Sequence, residues 1–207
     1  MMTPGTSNSP PPSAAPKPDS IDAKVRQLVE AGDVRAATTE TMRRLGPEIL
    51  QYVRSLLRDE DAAGDAFSEF AENLWKGLAT FRWNASLRTW AYRIATNAVA
   101  DVRTQAWARR GRRFATGEAT NLAEELRTKT VVKVERQRKT LDALREGLSM
   151  EERTLLSLRV DRGLSWAEIS EILSAEGKTV AVDALMKRFE RLTERLAARA
   201  RELGLVG

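Results

Sequence analysis

The 207-residue chain contains neither cysteine nor histidine. These absences exclude disulfides, thiolate nucleophiles, Cys/His zinc sites and any histidine-based triad. Chemistry would have to come from carboxylates, lysine or serine. Proline is scarce beyond the start: six of the seven lie in the first 18 residues, among Ser, Asn, Thr and Gly. Such a segment buries too little apolar surface to order itself, which predicts a disordered tail over 1–20. The seventh, Pro47, follows Gly46 and suits the first turn of a helix. No run reaches the ~18 consecutive apolar residues of a membrane span, and the start lacks a charged-then-apolar signal pattern. The expectation is a soluble, cytoplasmic protein with no membrane partner. Convincing period-two alternation is missing as well. Apolar residues recur instead at i, i+3, i+4 and i+7, which predicts an all-α fold.

The spacing predicts helices over 21–30, 34–45, 47–58, 61–78, 87–109, 122–144, 151–162, 166–173 and 181–203. Two starts carry capping boxes, Ser149 with Glu152 and Ser165 with Glu168. Between 111 and 122 the chain turns small and polar, which marks the best domain boundary. The net charge is +5, and residues 103–113, "RTQAWARRGRR", hold five arginines and no acid. A second basic concentration runs through Lys187, Arg188, Arg191, Arg195, Arg199 and Arg201. Clustered arginine favours a polyanion, because its planar fork suits phosphate; the plainer alternative is a solvated basic face.

Three stretches carry candidate function. In "DAAGDAFSEFAENLWKGL" the residues Ala63, Ala66, Phe67, Phe70, Leu74 and Leu78 form a core stripe. The other side offers Asp65, Ser68, Glu69, Glu72 and Asn73, which read as a solvated face or as an acidic patch for a basic partner helix. A metal-dependent nuclease using Asp61, Asp65, Glu69 and Glu72 lacks a second carboxylate cluster. Next, "FRWNASLRTW" leads into "SLRTWAYRIATNAVADVR". Leu87, Trp90, Ile94, Ala98 and Val102 make an apolar stripe, leaving Arg88, Tyr92, Arg93, Asn97 and Arg103 on other faces. Trp83 is either a core plug or, with Asn84, a platform for unstacked bases: a ring stacks without sequence preference and an amide reads a base edge. Finally, "GLSWAEISEIL" and "VAVDALMKRFERLTERLAARA" read as helix, turn, helix. Val182, Leu185, Phe189, Leu192, Leu196 and Leu203 face inward, and Lys187, Arg188 and Arg191 face outward, a pattern that fits a DNA groove or a plain amphipathic hairpin.

Together these stretches resemble bacterial extracytoplasmic-function sigma factors, the small class of RNA polymerase initiation factors. "DAFSEFAENLW" is similar to the family's polymerase-binding helix at Asp65, Glu69, Leu74 and Trp75. "SLRTWAYRIATNAVADVR" resembles its promoter-melting helix at Arg88, Trp90, Tyr92, Arg93, Ile94, Ala95, Asn97, Asp101 and Arg103. "LSLRVDRGLSWAEISEIL" with Arg188 and Leu192 resembles its terminal helix-turn-helix. The resemblance spans about 34–203 apart from the middle linker. It departs at Ser68, where the family commonly has Gln, and at Asp183, Ala184 and Leu185, where Lys, Ser and Arg are typical.

The resemblance implies two small helical domains joined by a flexible linker: a polymerase-binding and −10 domain over 21–113, a linker over 114–137, and a −35 helix-turn-helix domain over 138–207. It implies an alternative sigma factor that is not an enzyme and carries no cofactor. Its partners would be core RNA polymerase, through the largest-subunit clamp helices and the flap, and promoter DNA; an anti-sigma factor is compatible with it. The implied polymerase contacts are Asp65, Ser68, Glu69, Glu72 and Asn73. Trp83, Asn84, Arg88, Tyr92, Arg93, Asn97 and Arg103 would meet the −10 element. Lys187, Arg188 and Arg191 would meet the −35 element, on spacing and charge. The competing function is a stand-alone helix-turn-helix regulator.

Overall fold

The computed structural model describes residues 20–57, 59–106, 147–174 and 179–203. Among these residues the fold is all-helical, with seven α-helices and one π turn. The helices are α1 (Ile21–Glu30), α2 (Val34–Leu56), α3 (Glu60–Leu78), α4 (Leu87–Ala106), α5 (Met150–Leu156), α6 (Trp166–Leu173) and α7 (Val182–Glu202). The π turn Ser157–Asp161 continues α5 directly. The expected tail over 1–20 lies outside the described residues except for Ser20. The same holds for the predicted helix over 122–144, the linker and most of the Arg-rich window.

Side-chain caps set most helix starts. Ser20, Asp33 and Asp59 accept the backbone N–H three residues ahead, at 3.2, 2.9 and 2.7 Å, which satisfies donors that a helix end leaves orphaned. Both expected capping boxes are present, at Ser149–Glu152 and Ser165–Glu168. One boundary differs. The sequence predicts two helices meeting at Pro47, whereas α2 runs unbroken through it. Proline removes the donor for the Arg43 carbonyl, but Leu45, Gly46, Ile49 and Leu50 on either side are buried. Tertiary burial therefore outweighs the local break.

α1 to α4 pack as one bundle, with α3 against both α2 and α4. Its centre holds Tyr52, Phe67, Phe70, Leu74, Leu78 and Leu87, all buried. The second half does not stand apart from this bundle. α6 lies against α4, α5 touches α2, and α7 closes over α5 and α6. Leu155, Leu158, Leu164, Ile169, Ile172 and Leu185 belong to the same apolar cluster as the α2–α4 core. Leu148, Leu156 and Leu192 form a second, smaller apolar cluster, and Phe189 packs against both.

Candidate nucleic-acid interface

α3 buries every residue of its expected stripe. On the opposite face Asp65 and Asn73 are exposed, while Ser68, Glu69 and Glu72 are half-buried. The Ser68 hydroxyl donates to the Gly64 carbonyl at 2.9 Å, and Lys76 Nζ pairs with Glu72 at 2.6 Å. Trp75 stands 37% exposed on this helix. An aromatic that keeps a third of its surface in water beside carboxylates has the make-up of a protein-docking face. No group of three or more acids arranged to hold a metal occurs among the described residues.

The loop from α3 to α4 is organised by stacking. Phe81 stacks on Trp90 with centroids 4.4 Å apart and packs on Trp83 at 4.8 Å. Gly77 permits this: a Cβ there would lie 3.0 Å from the Trp90 ring. Trp83 has φ 58°, a left-handed backbone that costs a bulky residue about 1–3 kcal/mol and marks a loop held by its surroundings. Two of those surroundings come from α1. Arg26 lies over the Trp83 ring at 5.9 Å. The Asp22 carboxylate accepts the Leu87 N–H at 3.3 Å, capping the α4 region from 65 residues away. Burial pushes the Asp22 carboxyl above its ordinary value, against the lowering by that hydrogen bond.

A cavity of about 360 Å³ opens beside this loop, lined by Phe81, Arg82, Asn84, Trp90, Arg93 and, from α6, Glu171. Asn84 is exposed, Trp83 and Arg93 are half-buried, and Asn97 and Arg103 are exposed further along α4. The structure thus brings an amide, a cation and aromatic walls to one hollow, a chemistry suited to a single unstacked base.

Two expected contacts differ. Tyr92 is fully buried rather than offered on a polar face. Its ring meets Tyr52 edge-on at 5.1 Å, and burial pushes its hydroxyl up to about 12. The reason is that α4 is covered on two sides, by α2 and α3 and by α6. Its apolar sector therefore spans Ala91, Tyr92, Ala95 and Val99 as well as the expected stripe. Arg88 is engaged within the fold. It holds Glu48 with two hydrogen bonds at 3.0 and 3.2 Å, donates to the Arg162 carbonyl at 3.3 Å, and lies 5.3 Å from the Tyr92 ring. Neither Glu48 nor Asp22 carries a local sequence signal, since both partners are long-range.

On α7, Leu185 and Leu192 are buried, Phe189 and Leu196 half-buried, and Leu203 exposed. Phe189 meets Trp166 edge-on at 5.4 Å, joining α7 to α6. Lys187, Arg188 and Arg191 are all exposed. Arg188 leans to Glu151 at 4.0 Å, and Arg195 pairs with Glu152 at 2.7 Å, so α5 draws part of the basic face inward. The turn residues 175–178 between α6 and α7 lie outside the described residues.

Residues 41–113 match the family model described as Sigma-70 region 2. The matched stretch runs from Thr41 on α2 through α3, the Trp83 loop and α4. The match covers about a third of the chain and shows that this segment is similar to sigma-70 region 2. No curated protein matches the chain. No helix among the described residues is long and apolar enough to cross a membrane.

Proposed function

We propose that this chain is an alternative, extracytoplasmic-function type sigma factor, working in the cytoplasm with core RNA polymerase. The exposed face of α3, with Asp65, Ser68, Glu69, Glu72, Asn73 and Trp75, docks on the clamp helices of the largest subunit. The hollow beside the Trp83 loop takes one base of the non-template −10 strand, with Asn84 at its edge and Phe81 and Trp90 as walls. Arg93, Asn97 and Arg103 follow the adjoining backbone. α6 and α7 form the −35 module next to the flap, with Lys187, Arg188 and Arg191 toward the duplex. Tyr92 supports the helix from inside and does not touch DNA.

One observation carries this reading: the amide, the cation and the aromatic walls meet at a single cavity within the segment that matches the sigma-70 model. The magnitudes agree with dependence on polymerase. Unstacking a base costs a few kcal/mol, and stacking on a ring returns roughly 1–3 kcal/mol per base. Opening therefore needs several contacts held at once, and the protein alone binds promoter DNA weakly.

The test is in vitro transcription by core polymerase on a promoter library, with and without the protein. A set of promoters used only in its presence is the expected result. A palindromic footprint by the protein without polymerase would instead identify the stand-alone regulator.

A further inference from the structure

A larger cleft, of about 730 Å³, opens where α4, α5 and α7 meet. That volume lies within the roughly 300–1,000 Å³ of small-molecule sites. Its base is aliphatic and recessed: Val99, Leu155, Leu185 and Leu192 are each no more than 4% exposed. The half-buried Leu173 and Val180 continue the apolar wall. Among the described residues no aromatic side chain lines the cleft. The rim is cationic. Arg103 comes from the last turn of α4. Arg188, Arg191 and Arg195 come from α7, at a spacing that puts them on one helix face. Two acids of α5 answer part of this charge. Arg195 pairs with Glu152 at 2.7 Å, whereas Glu151 comes no nearer to Arg188 than 4.0 Å. Four arginines against two glutamates leave two positive charges unbalanced. Neither Arg103 nor Arg191 is paired with an acid among the described residues.

A ring-free floor gives a nucleobase nothing to stack on, but an unbranched hydrocarbon tail gains by leaving water for it. The planar fork of an arginine takes a carboxylate through two parallel hydrogen bonds. We propose that this cleft binds a free acyl anion, a medium-chain fatty acid in chemical class, with its tail on the Leu155, Leu185 and Leu192 floor and its carboxylate at Arg103 and Arg191. The floor is sunk between three helices, so the tail must be free in solution rather than held in a bilayer. Arg103 and Arg191 are also among the cations that the proposed function turns toward DNA. The bound anion and DNA therefore compete for them, and initiation falls as the acyl anion accumulates. This competition rests on the sigma-factor reading, whereas the site itself stands on its own geometry.

Titration calorimetry of the full-length protein with sodium octanoate, decanoate and dodecanoate, each below its micelle-forming concentration, tests the site. One molecule per chain is expected, with affinity rising roughly fourfold for each added methylene that is buried. No saturable binding, or uptake of many molecules per chain, would overturn the site. Dodecyltrimethylammonium, which joins the same tail to a cationic head, is expected to bind at least about tenfold more weakly; equal affinity would overturn the arginine-held head. Recruitment to anionic phospholipid vesicles in preference to dodecanoate would overturn the free anion as the occupant. Ala100 is exposed, lines the cleft and lies one turn before Arg103. Ala100→Glu sets a carboxylate beside Arg103, and about a tenfold loss of dodecanoate affinity is expected, while Ala100→Gln, of the same shape, stays within about twofold. Equal weakening by the two would again remove the charge-held head. For the competition, the readout is transcription with core polymerase from a promoter recovered with the unaltered protein. Dodecanoate at about ten times its dissociation constant is expected to lower the output of the unaltered protein roughly tenfold, and that of Ala100→Glu only about twofold, each against its own untreated level. Equal inhibition of the two would overturn the competition. Inactivity of the unaltered protein with core polymerase would count against the sigma-factor reading and remove the competition with it, while calorimetry still decides the site.

Discussion

Truncating Trp90 to alanine removes an indole that stacks on Phe81, abuts Gly77 and is only 9% exposed. An aromatic side chain buries about 150–250 Å², and at about 25 cal/mol per Å² that corresponds to roughly 4–6 kcal/mol. The unfolded chain already shields part of this area, which brings the figure toward the 3–5 kcal/mol typical of such truncations. For a chain of this size 1 kcal/mol moves the melting temperature by about 2–4 °C, so a drop of roughly 6–20 °C is expected. Circular dichroism melts and urea titration measure it. Gly77 supplies a second reading of the same contact. In the unaltered chain Gly77→Ala places a Cβ 3.0 Å from the ring, and overpacking of about 1–3 kcal/mol exceeds or cancels the roughly 1 kcal/mol of helix propensity gained. In the Trp90→Ala background the clash is gone, and the same change stabilises. A Trp90→Ala loss within the roughly 0.5 kcal/mol of ordinary surface changes would refute the packing argument. So would a Gly77→Ala effect of the same sign in both backgrounds.

Asp65→Lys leaves the melting temperature unchanged, because the residue is exposed, but weakens core-polymerase binding in a pull-down or fluorescence titration; unaltered binding removes α3 as the docking face. Asn84→Ala impairs strand opening, read by permanganate footprinting, more than polymerase binding, and equal loss of both counts against a base-reading role. Glu40 bridges α1 and α2 by pairing with Arg43 at 2.7 Å, Arg44 at 3.2 Å and Lys24 at 3.6 Å, and the Arg43 hydrogen bonds foremost hold its carboxyl at about 2 against an ordinary 4.5. A depressed carboxylate contributes stability above its unfolded value that is lost as pH falls toward the folded one. Glu40→Gln therefore flattens the decline in urea midpoint between pH 4.5 and 2, and an identical decline would refute the linkage.

Legibility in the sequence followed how local the determinants were. The α3 stripe and both capping boxes depend on residues within one or two turns of each other, and they stand where the spacing puts them. Pro47 misled because the break it suggests is local, whereas the burial that overrides it comes from other helices. Tyr92 misled for a related reason: spacing identifies one buried stripe, but a helix covered on two sides hides a wider sector than any single stripe. The residues that fix the candidate hollow from afar, Asp22 on the start of α4 and Glu48 on Arg88, are 65 and 40 positions from their partners. Nothing in the local pattern points to them. The packing of the second half over α4 has the same origin, since Ile169 and Ile172 read equally well as the inner face of a free helical hairpin.

The π turn at Ser157–Asp161 has a bearing on how this chain tolerates change in length. A π turn houses one residue more than the α-helical turn it replaces. Because the extra residue is taken up within the turn, deleting the exposed Val160 would restore ordinary pitch and nearly keep the phase of everything downstream. The Arg162–Ser165 bend would still aim α6 onto α4. Among relatives, one missing residue at this point would be absorbed by the change of pitch, whereas the same loss inside α5 would turn α6 by roughly 100° about the helix axis.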